Sequence, residues 1–292
     1  MTDMIQILIF GLGLGGIYAL MGAGLSLVFG VMRIVNLAHP ALIMCGAYVA
    51  YWSFRLGGID PLVILPVAMV ILAATGVILY KLMFEAEAKS AKYSEMTVLL
   101  AFALAMILEG LLATAFTNTQ RTTSPAYAVD AYFINGVLIP KGRLYAVIVS
   151  TVLIAGLALF LKYSRFGNAI RATTQNREAA ELLGVNVNFV GLMSFAIGVA
   201  LAGAAGALVS YDFSFYPSKH WEWIAILMSI VVLGGMGSVL GTVVAAYTLS
   251  VVAAFIQEFA GPTWSVLTFF IALFVVLLVR PQGLFGEKPE LA

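Results

Sequence analysis

The sequence predicts an all-α, polytopic membrane protein of about eight or nine transmembrane helices, at roughly 20 apolar residues per crossing. Composition and charge placement carry that expectation. Of 292 residues, 62% are hydrophobic and 10% charged, whereas a water-soluble domain carries about a quarter charged. The charges also cluster, leaving long apolar runs between short polar connections. Residues 1–292 are therefore read as one transmembrane domain, with no room for a separate soluble one.

The runs follow in order. The N-terminal MTDMIQILIF lacks a basic leader region, and the apolar stretch after it is too long for a cleaved signal, so Met4–Met32 is read as a retained first span. Further spans are expected at Ala41–Phe54, Pro61–Tyr80, Met96–Phe116, Leu144–Leu161, Phe189–Tyr211 and Trp264–Val279. The 35 residues from Trp223 to Gln257 are long for one span and short for two. Gly234, Gly235, Gly237 and Gly241 near their middle predict a broken helix or a tight hairpin. Such backbone at membrane depth is tolerated where protein covers it or where it lines a cavity. The same glycines also suit simple close packing of helices. The runs GLGLGGIYALMGAGLSLVFG and GLMSFAIGVALAGAAGALVS are faintly alike.

Charge position sets the expected orientation. Arg33, Lys81, Lys89, Lys92, Lys162, Arg165, Arg171 and Arg177 share one side, against Arg55, Arg121, Lys141, Arg143 and Lys219. A double crossing by the glycine-interrupted stretch adds Arg280 and Lys288 to the first set. The positive-inside rule then puts that set in the cytoplasm and the N-terminus outside.

Several functions are disfavoured. A net charge of +1 without clustered Lys and Arg gives no reason to propose nucleic acid. The single cysteine, Cys45, builds neither a disulfide framework nor a thiolate metal site. A Walker A motif is absent, and the glycine-rich runs lie in spans, so no nucleotide site is expected here.

Three features carry candidate chemistry. In RFGNAIRATTQNREAAELLGVNVNFV, Arg165–Val190, the Glu-Ala-Ala-Glu-Leu-Leu core followed by Gly184 predicts a short amphipathic helix outside the membrane. Ala179, Leu182 and Leu183 would form its apolar ridge, with Arg177, Glu178 and Glu181 toward water or a partner. It suits either docking in a cleft of another protein or merely connecting two spans. In RIVNLAHP, Pro40 disfavours helix at His39 and predicts a break between spans. Asn36 and His39 there either line the translocation path or satisfy a structural turn. Glu109 is the one acid inside a predicted span, and its desolvation costs at least about 2.5 kcal/mol. It faces a polar cavity, pairs with another helix or stays protonated. Thr117–Lys141 and Asp212–Trp221 are expected outside, as a docking surface for a soluble partner or as aromatic anchors.

The pattern Glu178-Ala179-Ala180 followed by Gly184 is similar to the "EAA" loop of bacterial ABC importer permeases. The wording RATTQNREAAELLGVNVNFVGLMSFAIG, the N-terminal GLGLGGIYALMGAGLSLVFGVMRIVNLAHPALIMCGAYVAY, GGMGSVLGTVVAAY and the tail VRPQGLFG resemble the branched-chain amino acid permease family, shorter subunit type, over the whole chain. One departure is Pro40, where the resemblance leads one to expect Gly. The resemblance implies a bacterial inner-membrane importer subunit carrying branched-chain or related small amino acids. It implies coupling to ATPase subunits through Arg177, Glu178, Ala179, Ala180, Leu183 and Gly184 of the 162–188 loop. Asn36, His39, Glu109, Gly234 and Gly235 are candidate pathway residues. Implied partners are a homologous second permease, two cytoplasmic ATP-binding subunits holding ATP and magnesium, and an extracytoplasmic solute-binding protein, all within membrane lipid. No cofactor is expected in this chain. Relatives are expected to carry urea or short amides as well. The rival reading is an ion-coupled secondary transporter or channel, which would want paired intramembrane ionisable groups.

Overall fold

The computed structural model describes residues 2–84, 93–134, 136–280 and 282–286. Lys89, Lys92 and Lys288, which entered the charge count, lie outside them.

The described chain is a helical bundle built around α9 (Val187–Asp212), the most enclosed of the long helices. Its sequence explains that position. Gly and Ala recur along FAIGVALAGAAGALV, so neighbouring backbones approach closely where larger side chains would hold them off. Three helices pack on it: α1 (Thr2–Met32), α2 (His39–Gly57) and α3 (Pro61–Leu79). Cβ atoms added at Gly46 and Gly203 would lie 2.8 Å from Gly203 Cα and from the Ala68 carbonyl, and one at Gly206 would meet the Ile43 carbonyl and Ala47 N. Gly24 and Gly198 are likewise in mutual contact between α1 and α9.

A π-helical turn, Tyr80–Phe84, closes α3. The outlying α4 (Tyr93–Phe116) follows, then a short α5 (Ala126–Val129) and a hairpin of β1 (Ala131–Ile134) and β2 (Val137–Pro140). The strands pair antiparallel, Ala131 opposite Pro140 and Ile134 opposite Val137. Next come α6 (Lys141–Tyr163), α7 (Arg165–Gln175), α8 (Arg177–Leu182) and α9, and finally α10 (His220–Gly234), α11 (Val239–Ala260) and α12 (Pro262–Val279).

Seven of the described helices are long and apolar enough to cross a membrane: α1, α3 with its π turn, α4, α6, α9, α11 and α12. The polytopic helical class is as expected, but the count of eight or nine crossings is not confirmed. The remainder sits in α2 and in α10, which has 15 residues and is shorter than a full crossing. The glycine-interrupted stretch is the hairpin alternative: α10 ends at Gly234 and α11 begins at Val239, with Gly235 and Gly237 turning the chain at φ +97° and +89°.

The helix ends sort onto two faces. Arg33 donates to the Thr174 carbonyl, Tyr80 to the Asn188 carbonyl, and Leu284 N to the Leu233 carbonyl. The first two bonds join the ends of α1 and α3 to α7 and α9, and the third ties the segment after α12 to the end of α10. At the other face, Gln6 exchanges bonds with Leu138 (2.6 and 2.7 Å), Tyr127 donates to Asp60 (2.9 Å), and Arg121 bridges to Phe215. The described cations segregate as the charge count expected: Arg33, Lys81, Lys162, Arg165, Arg171, Arg177 and Arg280 on the first face, and Arg55, Arg121, Lys141, Arg143 and Lys219 on the second.

Candidate functional site

On the first face the chain leaves the bundle as an arm of two helices, α7 and α8, each started by a side-chain cap. Ser164 accepts from Gly167 N (2.8 Å) and Asn176 from Ala179 N (2.9 Å), and Asn186 then starts α9 by accepting from Phe189 N (3.0 Å). These caps satisfy N–H groups that a helix start otherwise leaves unpaired. At the end of α8, Gly184 N bonds to the Glu181 carbonyl and Val185 N to the Ala180 carbonyl, both at 3.0 Å. This paired arrangement is a Schellman stop, and it requires the left-handed backbone that Gly184 supplies at φ +85°.

The capped α8 holds its side chains in a defined order. Ala180 alone of its residues is buried, where α8 packs on α7 and α9. Ala179, Leu182 and Leu183 all face out, the leucines 89% and 84% exposed. Glu178 is exposed, and Arg177 forms a loose pair with Glu181 at 3.8 Å. The ridge read from the sequence therefore points away from the body of the chain. The preceding helix, α7, was not anticipated as a separate element, although Ser164 three residues before Gly167 is a readable cap. Its junction with α6 is tight: a Cβ at Gly167 would collide with the Leu161 carbonyl.

The break between α1 and α2 falls inside the bundle. His39 Nε2 lies 3.1 Å from the Met21 carbonyl, eleven residues before the end of α1, and its ring rests against Gly24. The segment after Met32 thus turns back into the protein before α2 starts. Asn36 Oδ1 accepts from Ala38 N, and the Asn36 carbonyl accepts from His39 N. Asn36 and His39 are fully buried, while Asn36 Nδ2 and His39 Nδ1 have no hydrogen-bond partner. Pro40 occupies the first turn of α2, where its missing N–H costs nothing.

Glu109 is found on α4 beside the start of α10. Its Oε2 accepts from Trp221 Nε1 (2.9 Å) and stands 3.9 Å from His220 Nε2. The carboxylate therefore sits at the positive end of a helix dipole, with the Trp221 ring 5.5 Å from that of Phe102 and tilted 50° to it. Gly234 and Gly235 are buried: Gly234 abuts Gly241, and Gly235 abuts the Phe285–Gly286 segment. Beside them, Phe29, Arg33, Thr174, Met236, Ser238 and Phe285 line a cavity of about 500 Å3 that adjoins the arm.

The opposite face carries polar ties that sequence reading missed. Arg143 pairs with Asp212 at 3.1 Å, the Asp side chain 8% exposed. Arg121 lies over the rings of Tyr51 and Trp52, 5.3 Å from each. Burial and the hydrogen bond to Asp60 push the Tyr127 phenol upward, so it stays a neutral donor. The β-hairpin leaves Phe133 and Ile134 exposed.

A multi-helix apolar bundle with seven helices long enough to cross a membrane, carrying a capped, outward-facing helical arm, defines a polytopic integral membrane protein. The chain belongs to the family described as branched-chain amino acid transport system / permease component, whose model matches residues 7–278. Its relatives include the high-affinity branched-chain amino acid transport system permease protein BraD of Pseudomonas aeruginosa, 27% identical over 98% of this chain and 96% of BraD. They also include the corresponding LivH protein of Salmonella typhimurium, 28% identical over 96% and 94%. A solved structure, PsaBC from Streptococcus pneumoniae in complex with Fab, shares the fold at a TM-score of 0.51, covering 96% of this chain and 92% of that one at 16% identity.

Proposed function

We propose that this permease is the membrane subunit of an ATP-driven importer of branched-chain or related small amino acids, and that α8 passes the ATPase cycle to the bundle. The observation that carries the coupling role is the pair of exposed leucines on a helix fixed at both ends. Two large apolar side chains held rigidly in water form a ridge made to be covered. The substrate class rests on the names of BraD and LivH.

In this reading the face bearing α8 is cytoplasmic, as the excess of Lys and Arg there supports, and the N-terminus is outside. A homologous second permease completes the path, two cytoplasmic subunits bind ATP and magnesium, and a solute-binding protein delivers cargo at the opposite face. Arg177, Glu178, Ala179, Ala180, Leu183 and Gly184 form the coupling element. Asn36, His39 and Glu109 are pathway candidates: the first two offer unpartnered polar atoms at a helix break, and the third is a carboxylate in a span.

Crosslinking tests the coupling role. Cys45 is the chain's one cysteine and lies in α2, so Leu182→Cys introduces a distinct, exposed thiol. With ATPase subunits co-expressed, a thiol-reactive photo-crosslinker attached at that position, whose photoactivated end inserts into neighbouring C–H bonds, should join it to an ATPase subunit. A full yield of uncrosslinked chain would remove the coupling assignment.

A further inference from the structure

A second cavity of about 400 Å3 lies between α1, α6, α7 and α11 and shares Gly30, Thr174, Gly237 and Ser238 with the one beside the arm. Its wall is apolar, formed by Leu27, Val31, Leu161 and Leu240, and its rim carries Lys162 and Arg171. The cations lack acidic partners among the described residues. Arg171 is surrounded by neutral acceptors, the carbonyls of Leu161 and Lys162 and the amide oxygen of Asn168. Lys162 rests over the Tyr163 ring at 5.3 Å. The Arg33 guanidinium, on the adjoining cavity, donates to the Thr174 carbonyl, another neutral acceptor.

We propose that this cleft holds an anionic phospholipid of the leaflet on the α8 side, its phosphate at Lys162 and Arg171 and an acyl chain along Leu27, Val31, Leu161 and Leu240. Charge complementarity selects an anion. The apolar wall of membrane-spanning helices selects one that carries hydrocarbon, which a free phosphate does not. Basic pockets between helices at this depth are suited to lipid headgroups. The lipid would wedge between α7 and the bundle, bracing the arm that carries α8.

The test uses the full chain in vesicles and the variant Leu240→Trp, which places an indole in the cleft. The native tryptophans, Trp52, Trp221, Trp223 and Trp264, lie toward the opposite face, so the parent chain supplies the background. Quenching of the new indole by brominated phosphatidylglycerol should exceed quenching by brominated phosphatidylcholine. Adding Lys162→Gln should weaken that preference about fivefold, the equivalent of roughly 1 kcal/mol for one basic residue near an anionic surface, and Lys162→Glu should abolish it. Equal quenching by both lipids, or a preference that survives Lys162→Glu, would overturn the proposal. Relief of quenching by millimolar inorganic phosphate would also overturn it, by showing that the cleft takes a soluble anion.

Discussion

Replacing Leu182 by alanine separates a role in docking from a role in folding, because the side chain is 89% exposed in the isolated chain. An exposed change of this kind alters the stability of the chain by no more than about 0.5 kcal/mol. A partner's cleft that buries the residue would lose far more. Leucine gives up three carbons to alanine, and at about 0.8 kcal/mol per buried carbon the loss is about 2.4 kcal/mol. That corresponds to roughly fiftyfold in affinity. The backbone of α8 is unaffected, since alanine is a good helix former and the Asn176 cap and Gly184 stop stay in place. The assay is binding of purified ATPase subunits to the permease in lipid nanodiscs, with a thermal melt of the permease alone as control. Weakened binding with an unchanged melt is expected. Unchanged binding would refute docking through this ridge, and a depressed melt would show that Leu182 serves the fold.

Gly206→Ala should lower stability by about 1–3 kcal/mol through overpacking, because its Cβ would meet Ile43 and Ala47 backbone on α2; an unchanged melting temperature would show that α2 and α9 are not in that contact. Arg143→Ala strands the enclosed Asp212 carboxylate and should cost about 3–5 kcal/mol. The double variant with Asp212→Ala should recover part of that loss in the same melt, and a simple sum of two losses would contradict the pairing. For sidedness, an impermeant maleimide applied to intact cells should leave Leu182→Cys unlabelled and label it in inverted vesicles; labelling from outside would reverse the assigned orientation.

The legible part of the structure is what the membrane dictates. Hydrocarbon forces backbone groups to pair within each segment, so the long helices could be read from apolar runs, and the bounds of α3 and α9 fall within two residues of expectation. Local chemistry was legible too: Gly184 stops α8, and Gly235 and Gly237 turn the chain between α10 and α11. What stayed hidden depends on residues far apart in sequence. Nothing local to Arg143 announces Asp212, and Trp221 gave no sign of bonding to Glu109 on α4. The β-hairpin was missed because its strands are four residues each and gain their anchor from Gln6, over a hundred residues away. The count of crossings stays unconfirmed for a related reason: α10 reaches its place among α2, α11 and α12 with 15 residues in all, fewer than a full crossing needs.

Uptake in vesicles tests the central claim most directly. The chain is co-reconstituted with its homologous permease, ATPase subunits and solute-binding protein, and accumulation of radiolabelled leucine, isoleucine or valine is followed with ATP supplied on the α8 side. The account predicts uptake that requires ATP and the ATPase subunits and collapses when Leu182 and Leu183 are both changed to glutamate. Uptake by the chain alone, driven by an ion gradient without ATPase subunits, would contradict it.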